Sequence, residues 1–145
     1  MPLYRAQIAI DVPPARVWEA LLDWEGSSRW MVPPTTVEVM GERTNQAGMR
    51  VHAVSRLGPL RLVDHMVVTD WVPEREIRVR HLGWPLRGDG IFRVEPEGRR
   101  ARFVWIEDLV LPLGVVGELA GLLLRRPAER MLAASCRNLR GLLEG

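Results

Sequence analysis

The sequence predicts an α+β fold: a curved seven-stranded antiparallel sheet, two short helices after the first strand, and one long C-terminal helix. Three observations predict it. Short segments of alternating apolar and polar residues follow one another between Gly and Pro turn signals. Two segments with helical spacing interrupt them early, and the chain ends in leucines and arginines at helical period. The length of 145 residues is typical of one domain, so we expect a single domain over residues 1–145.

The N-terminal segment predicts a strand followed by a helical pair. Residues Tyr4–Ile10 alternate in polarity, which is typical of a half-buried strand. Pro13 and Pro14 end the strand, and a proline is tolerated in a first helical turn because its missing N–H would be unpaired there. The spacing then predicts a helix over Pro14–Asp23 and a second short helical turn over Glu25–Trp30.

The middle of the chain predicts an antiparallel meander. Turn signals at Gly58-Pro59, Val72-Pro73 and Glu97-Gly98 separate short alternating segments. Gly88-Asp89-Gly90 leads into a strand and not a helix, so we interpret it as a tight β connection and not a phosphate-binding loop. The six predicted strands are Val37–Glu42, Met49–Leu57, Leu60–Trp71, Glu76–Leu82, Gly90–Glu95 and Ala101–Val110.

The last segment, Leu113–Leu143, predicts a long amphipathic helix that Pro127 kinks or restarts. The four-residue spacing of Gly117 and Gly121 fits either approach of the helix to a membrane partner or close packing of helix and sheet around a pocket, and we favour the second. The most apolar stretch, Leu109–Leu124, is too short and too interrupted to span a bilayer.

The composition excludes several classes of function. All 20 basic residues are arginines, which excludes a lysine Schiff base and a P-loop. The net charge is only +2, and the basic residues are scattered along the chain without forming a run, so we expect no nucleic-acid partner. Cys136 is the one cysteine, interpreted as a buried structural thiol. No metal-binding motif is present, so we expect no metal or organic cofactor, and without a signal-peptide pattern we expect a cytoplasmic protein.

The order of elements and several motifs resemble the START-like (SRPBCC) superfamily, and within it the bacterial polyketide cyclase/dehydrase and lipid-transport branch. The resemblance implies the helix-grip fold of the birch-pollen allergen, with a cavity between sheet and C-terminal helix. It implies a small hydrophobic ligand, lipid-like or aromatic polyketide-like, but members of this superfamily differ in chemistry. The motifs are Ile8-Ala9-Ile10-Asp11-Val12-Pro13-Pro14-Ala15-Arg16-Val17-Trp18-Glu19-Ala20-Leu21, Trp30, Gly48-Met49-Arg50, Trp71-Val72-Pro73-Glu74-Arg75 and Ala101-Arg102-Phe103-Val104-Trp105.

A two-residue turn at Gly58-Pro59 sets the register of the first hairpin of the meander. It places Leu57 opposite Leu60 and, by counting back, Asp64 opposite Ala53 on an apolar and therefore inward face. His52 and His65 then lie opposite each other on the outer face. The inward pairs on this hairpin are Ser55 with Leu62, Ala53 with Asp64, and Val51 with Met66.

The same counting places a second polar group inside. His81 shares its face with Ile77 and Val79, and pairing Val94 with Phe103 sets Gly90 against Glu107. A similar count sets His81 against Gly90, so that His81 and Glu107 flank a residue with no side chain.

This arrangement has two interpretations. With Asp64 as a second carboxylate, His81 and Glu107 form an acid/base pair suited to cyclisation, dehydration or isomerisation. Alternatively, the same groups only satisfy one another in the interior, since buried ion pairs also occur without catalysis.

The sequence leaves three functions open. The first is a carrier or sensor of an apolar ligand, and the second is a cyclase/dehydrase-type enzyme using His81, Glu107 and Asp64. The third is a protein-binding adaptor, monomer or homodimer, with an outward apolar sheet face. That face would comprise Val54, Val63, Val104 and Ile106. Trp71 and Trp84 are left undecided between cavity and core, and the predicted ligand contacts are Ser55, Met66, Phe92, Phe103, Trp105, Met131 and Ser135.

Overall fold

A computed structural model describes residues 3–83 and 86–145 of the chain. Its seven strands form one antiparallel sheet in the order β1-β7-β6-β5-β4-β3-β2. Helix α1 and a 3₁₀ helix connect the two edge strands, β1 and β2, and two helices end the chain. The predicted fold class is confirmed. The elements are β1 Leu3–Ile10, α1 Pro14–Leu22, the 3₁₀ helix Trp24–Arg29, β2 Thr35–Met40, β3 Arg50–Leu57, β4 Leu60–Val72, β5 Glu76–His81, β6 Arg87–Glu97, β7 Arg100–Val110, α2 Gly114–Leu123 and α3 Arg125–Glu144.

The start of β6 differs from the prediction, because the strand begins at Arg87 and not at Gly90. The Gly88-Asp89-Gly90 segment therefore lies within the strand. Gly88 has φ +117°, and a Cβ there would lie 2.1 Å from the Asp108 carbonyl oxygen of β7. Only glycine fits this point of close approach between β6 and β7.

The hydrophobic core fills one end of the space between the sheet and α3. Helix α1 packs Val17, Trp18 and Leu21 inward, and the Trp18 ring meets Trp71 edge to face with centroids 5.5 Å apart. Cys136 of α3 is also buried there, as predicted, and burial raises the pKa of its thiol to about 12 although Arg137 lowers it slightly. We call this end, where β1 finishes and β7 begins, the closed end.

The C-terminal segment forms two helices, α2 and α3, separated at Leu124. Pro127 lies in the first turn of α3, where backbone N–H groups have no partner within the helix, so the predicted restart at this proline is confirmed. Gly117 and Gly121 are the buried residues of α2, and the Tyr4 hydroxyl of β1 donates to the Gly121 carbonyl oxygen at 2.7 Å. Within residues 3–83 and 86–145, no helix combines the length and apolarity needed to cross a membrane.

The predicted apolar patch on the outer sheet face is wrong as a continuous surface. Val104 is fully buried and Val54 is 7% exposed, whereas Val63 is 40% exposed. Val104 pairs with Gln7 on one side and Arg93 on the other. Side chains at directly opposite positions share a face, and the long chains of Gln7 and Arg93 can cover the valine.

Candidate functional site

A cavity of about 610 Å³ lies between the concave face of the sheet and α3. Its size is within the range of pockets that enclose a small organic ligand. Helix α3 contributes Ala128, Met131 and Leu132, which recur at the spacing of one helix face. The apolar wall from the sheet and the 3₁₀ region comprises Met31, Val37, Val51, Met66, Ile77, Val79, Phe92 and Leu109.

The cavity reaches solvent at the end opposite the core. Four residues that line it are also exposed: Val32, Leu62, Val63 and Met131, at 37%, 51%, 40% and 39%. We call this end of the molecule the mouth end. The antiparallel register places there the finish of β3 at Leu57, the start of β4 at Leu60 and the finish of β7 at Val110.

The structure places five of the seven predicted ligand contacts in the cavity wall and two elsewhere. Ser55, Met66, Phe92, Trp105 and Met131 line the cavity. Phe103 and Ser135 are not among the lining residues, which corrects their predicted position. Trp71 is not a lining residue either, and Trp84 lies outside the described residues.

Both corrected residues lie further toward the closed end. Phe103 is fully buried and packs edge to face on Trp30 and Phe92, with ring centroids 6.0 and 5.5 Å away. Ser135 lies one helical turn beyond Met131. Its hydroxyl accepts from the Val32 N–H at 2.8 Å and donates to the Met131 carbonyl oxygen at 2.9 Å. Position along the strand or helix, and not the inward face alone, therefore decides contact with the cavity.

Three titratable side chains from three strands meet in the cavity wall. His81 of β5 lies between two carboxylates: its Nδ1 is 2.8 Å from Asp64 Oδ2 of β4, and its Nε2 is 2.9 Å from Glu107 Oε2 of β7. The three side chains are 6%, 20% and 17% exposed, in the order His81, Asp64, Glu107. The structure thus brings together the three residues that the sequence predicts as an inward polar group.

The strand pairing behind this cluster differs from the prediction at one point. β5 pairs His81 with Gly88 and Val79 with Gly90, whereas the sequence count set His81 against Gly90. The count failed because β6 begins earlier than predicted, which shifts the pairing by two residues. A shift of two leaves every side chain on its original face, so His81 still points inward.

Gly90 and Trp105 hold the Glu107 carboxylate in place. Gly90 is paired with Glu107, and a Cβ there would lie 3.1 Å from Glu107 Oε2 and 3.2 Å from Oε1. The Trp105 indole Nε1–H donates to Glu107 Oε1 at 2.9 Å. This bond is not predicted from the sequence, although the spacing of two along β7 places both residues on one face.

The two carboxylates determine the charge of His81. Burial alone lowers the pKa of this imidazole, but the hydrogen bonds and negative charges of Asp64 and Glu107 outweigh it and raise the pKa to about 10. His81 is therefore an imidazolium at neutral pH, and both ring N–H groups donate to carboxylates. The cluster carries a net negative charge, and His81 has no free nitrogen with which to bind a ligand.

Two buried polar atoms of cavity-lining residues have no hydrogen-bond partner in the described part of the chain: Asp64 Oδ1 and Trp24 Nε1. Leaving such a group unpaired costs about 1–3 kcal/mol. Trp24 is 5% exposed and packs beside Trp71 near the finish of β4, whereas Asp64 lies near the start of that strand. Both atoms lie within the wall, out of reach of a water molecule, so a ligand would meet them only after neighbouring side chains shift. The Thr35 and Ser55 hydroxyls, which also line it, already bond each other at 2.8 Å.

Among the described residues, no group of three or more His, Cys, Asp or Glu side chains is arranged to hold a metal ion. His52 and His65 lie on the outer face, as predicted, and their rings are joined by a 2.9 Å bond between Nε2 and Nδ1.

The sequence of this chain matches the model of one protein family, described as polyketide cyclase / dehydrase and lipid transport, over residues 1–144. The chain belongs to this family. The resemblance seen in the sequence motifs is therefore confirmed. No curated protein sequence matches the chain.

Several solved structures share the fold of this chain. TTHA0849 from Thermus thermophilus superposes with a TM-score of 0.80 at 20% identity, covering 99% of this chain and 97% of that one. The Zhui aromatase/cyclase from Streptomyces sp. R1128 gives 0.79 at 21% identity, covering 98% and 93%. A START superfamily protein from Mycobacterium smegmatis gives 0.77 at 13% identity, covering 98% and 97%. At these identities the likeness shows the fold alone.

Proposed function

We propose that this protein binds a small, mainly apolar molecule in the cavity between its sheet and α3. The observation that carries the proposal is the cavity itself: about 610 Å³ with a predominantly apolar wall and a few polar atoms. Pockets of this kind gain affinity from apolar burial and orient the ligand through few polar contacts. The family description, which covers both polyketide cyclisation and lipid transport, supports this ligand class.

The polar atoms of the wall favour an aromatic polyketide-like ligand over a free fatty acid. Asp64 Oδ1 and Trp24 Nε1 are unpaired within the wall, and a small shift of their side chains would let a phenolic or enolic hydroxyl donate to the first and a carbonyl accept from the second. A hydroxylated aromatic ketone carries both groups on one apolar framework. The carboxylate of a fatty acid would instead meet the net negative charge of the Asp64–His81–Glu107 cluster.

Binding of three probes tests this proposal: a dihydroxyanthraquinone, the unsubstituted hydrocarbon anthracene, and palmitate. We expect the dihydroxyanthraquinone to bind most tightly. Trp24→Phe keeps an aromatic ring but removes the donor, so it should weaken anthraquinone binding about two- to tenfold and leave anthracene binding unchanged. Trp18→Phe is the matched control, because Trp18 is buried but does not line the cavity.

Failure of all three probes to bind, together with native mass spectrometry showing no co-purified molecule, would contradict the proposal. Equal effects of Trp24→Phe and Trp18→Phe on both ring probes would reject the assigned role of the Trp24 donor while leaving apolar binding in place.

A second candidate function is a cyclase or dehydratase reaction on the same ligand, favoured by the charged cluster in the wall. His81 holds both of its protons against carboxylates, so the Asp64 carboxylate, whose Oδ1 has no partner, would accept a proton from a ligand hydroxyl once its side chain turns toward the cavity. His81 and Glu107 would position that carboxylate. Asp64→Asn should then abolish turnover while affinity for the bound product changes less. Equal loss of turnover and affinity in this variant would reject proton transfer by this cluster.

A further inference from the structure

Helix α2 buries its small residues and exposes its large apolar ones, which is the reverse of an ordinary amphipathic surface helix. Its two buried residues are glycines, Gly117 and Gly121, and a Cβ on Gly117 would lie 1.9 Å from the Pro112 carbonyl oxygen. Its large side chains point to solvent, with Val115 76% and Leu123 82% exposed. A surface helix normally buries its apolar stripe. Close packing through glycines instead leaves α2 with a mainly apolar outer surface, interrupted by the exposed Glu118 and completed by Val116, Leu119 and Leu122.

This apolar surface continues around the mouth end. The strand register gathers the ends of β3, β4, β5 and β7 beside the cavity opening, and the side chains there are exposed although apolar. They are Leu57, Leu60, Leu62, Val63, Leu82, Val110 and Leu113. A concentration of exposed apolar side chains at one end of a molecule is typical of an interaction surface.

The other half of the molecule lacks such a surface within the described residues. Its large exposed apolar side chains are Met40, Val72 and Leu142, which lie on β2, at the end of β4 and near the end of α3. Exposed apolar residues are thus concentrated where the cavity opens. Scattered single residues need no explanation, but this asymmetry does.

Arginines accompany the apolar residues at the mouth end. Arg125 and Arg126 begin α3, one residue after the end of α2, and are exposed. Arg56 and Arg61, which lie opposite each other at the hairpin between β3 and β4, are also exposed. Arg125 lies 3.8 Å from Glu129, and its side chain is still 51% exposed. Leucines flanked by arginines suit the surface of an anionic phospholipid bilayer, where apolar side chains enter the acyl region and arginines pair with the negatively charged headgroups.

We propose that the mouth end docks on an anionic phospholipid surface, with α2 lying in the headgroup layer. A second copy of the chain fits this end less well, because it carries the same arginines there and supplies less opposite charge than an anionic lipid surface does. An anionic surface would neutralise the same arginines. The proposal goes beyond ligand binding, and docking is measurable whether or not the cavity takes the probes named above.

Co-flotation with vesicles tests the proposal, using phosphatidylcholine alone and equal parts of phosphatidylcholine and phosphatidylglycerol. The unaltered chain should bind the mixed vesicles, lose binding as salt increases, and bind phosphatidylcholine much less. Val115→Glu with Leu123→Glu should lower binding to the mixed vesicles at least tenfold, because both residues would otherwise be buried in the interface. The matched control, Met40→Glu with Val72→Glu, adds the same charge to exposed apolar positions in the other half and should bind as the unaltered chain does.

A separate variant tests how much the arginines contribute to vesicle binding. Arg125→Gln with Arg126→Gln should lower binding to the mixed vesicles more than tenfold, at roughly fivefold per arginine, whereas Arg99→Gln, at the opposite end, should change it little. No binding to either vesicle, or equal binding by both double-glutamate variants, would overturn the proposal. So would a stable dimer that Val115→Glu with Leu123→Glu dissociates. Unchanged anthraquinone binding by these variants separates a docking defect from loss of the cavity ligand.

Discussion

Replacing His81 by alanine should strongly destabilise the fold, because the change leaves two carboxylates in the cavity wall without the cation between them. His81 makes two charge-assisted bonds, of 2.8 Å to Asp64 and 2.9 Å to Glu107, and its side chain is only 6% exposed. Removing one partner of such a buried ionic group costs about 3–5 kcal/mol. The shift of the His81 pKa from 6.5 to about 10 gives a similar value, on the order of 5 kcal/mol. Since a domain is stable by only about 5–15 kcal/mol, the effect should be large in urea unfolding.

The pH dependence follows from the same shift. The folded pKa is raised above the unfolded value, so the stabilisation is fully present below pH 6.5 and is lost as the pH rises to about 10. The free energy of unfolding of the unaltered chain should therefore fall across this window. The difference in this free energy between the unaltered chain and His81→Ala should become smaller. The chain contains no lysine that would titrate near this window. The raised pKa of the Cys136 thiol would also lower the stability as the pH rises, so the measurements should be made in chains that carry Cys136→Ala.

Urea unfolding at several pH values in this window, with His52→Ala as the control histidine, is the assay. His52 lies on the outer face and its loss should cost less than about 1 kcal/mol. A cost below about 1 kcal/mol for His81→Ala, or a flat stability between pH 6.5 and about 10, would refute the charged-cluster account.

Three further predictions concern single positions. Gly88→Ala should lower the free energy of unfolding by about 2–3 kcal/mol, because Gly88 has a φ of +117° and an added Cβ would clash with Asp108. Gly83→Ala should be nearly neutral, because no atom of the described residues lies within 4 Å of an added Cβ. Similar urea midpoints for the two variants would contradict this. Gly90→Ala should push the Glu107 carboxylate aside and lower the His81 pKa below about 10 in an NMR titration, and an unchanged midpoint would show that Glu107 does not depend on the glycine. The Cys136 thiol, 1% exposed with a pKa of about 12, should react with a disulfide reagent only as fast as the chain unfolds, so faster labelling would disprove its burial.

Local sequence patterns alone predict much of the strand pairing and of the inward-facing residues in this structure. Alternation along β3, β4 and β5 assigned Asp64 and His81 to the inner face, because side chains on a strand change face at every residue. The two-residue turn at Gly58-Pro59 fixed the pairing of Ala53 with Asp64, which the structure confirms. The β6–β7 pairing placed Glu107 opposite Gly90, also as observed. A short turn transmits register reliably because it leaves little freedom between the strands.

The tertiary structure decided what depends on contacts between distant segments. The observed pairing of β5 with β6 lies two residues away from the predicted one, so that His81 faces Gly88. Phe103 and Ser135 share the inward face but lie beyond the cavity, since depth depends on where α3 and Trp30 pack and not on alternation. The unpaired Trp24 donor, the raised pKa of His81 and the outward leucines of α2 likewise arise only when separate elements meet. Sequence determined which way each side chain points; packing determined what each one meets, because that depends on chain segments far away in sequence.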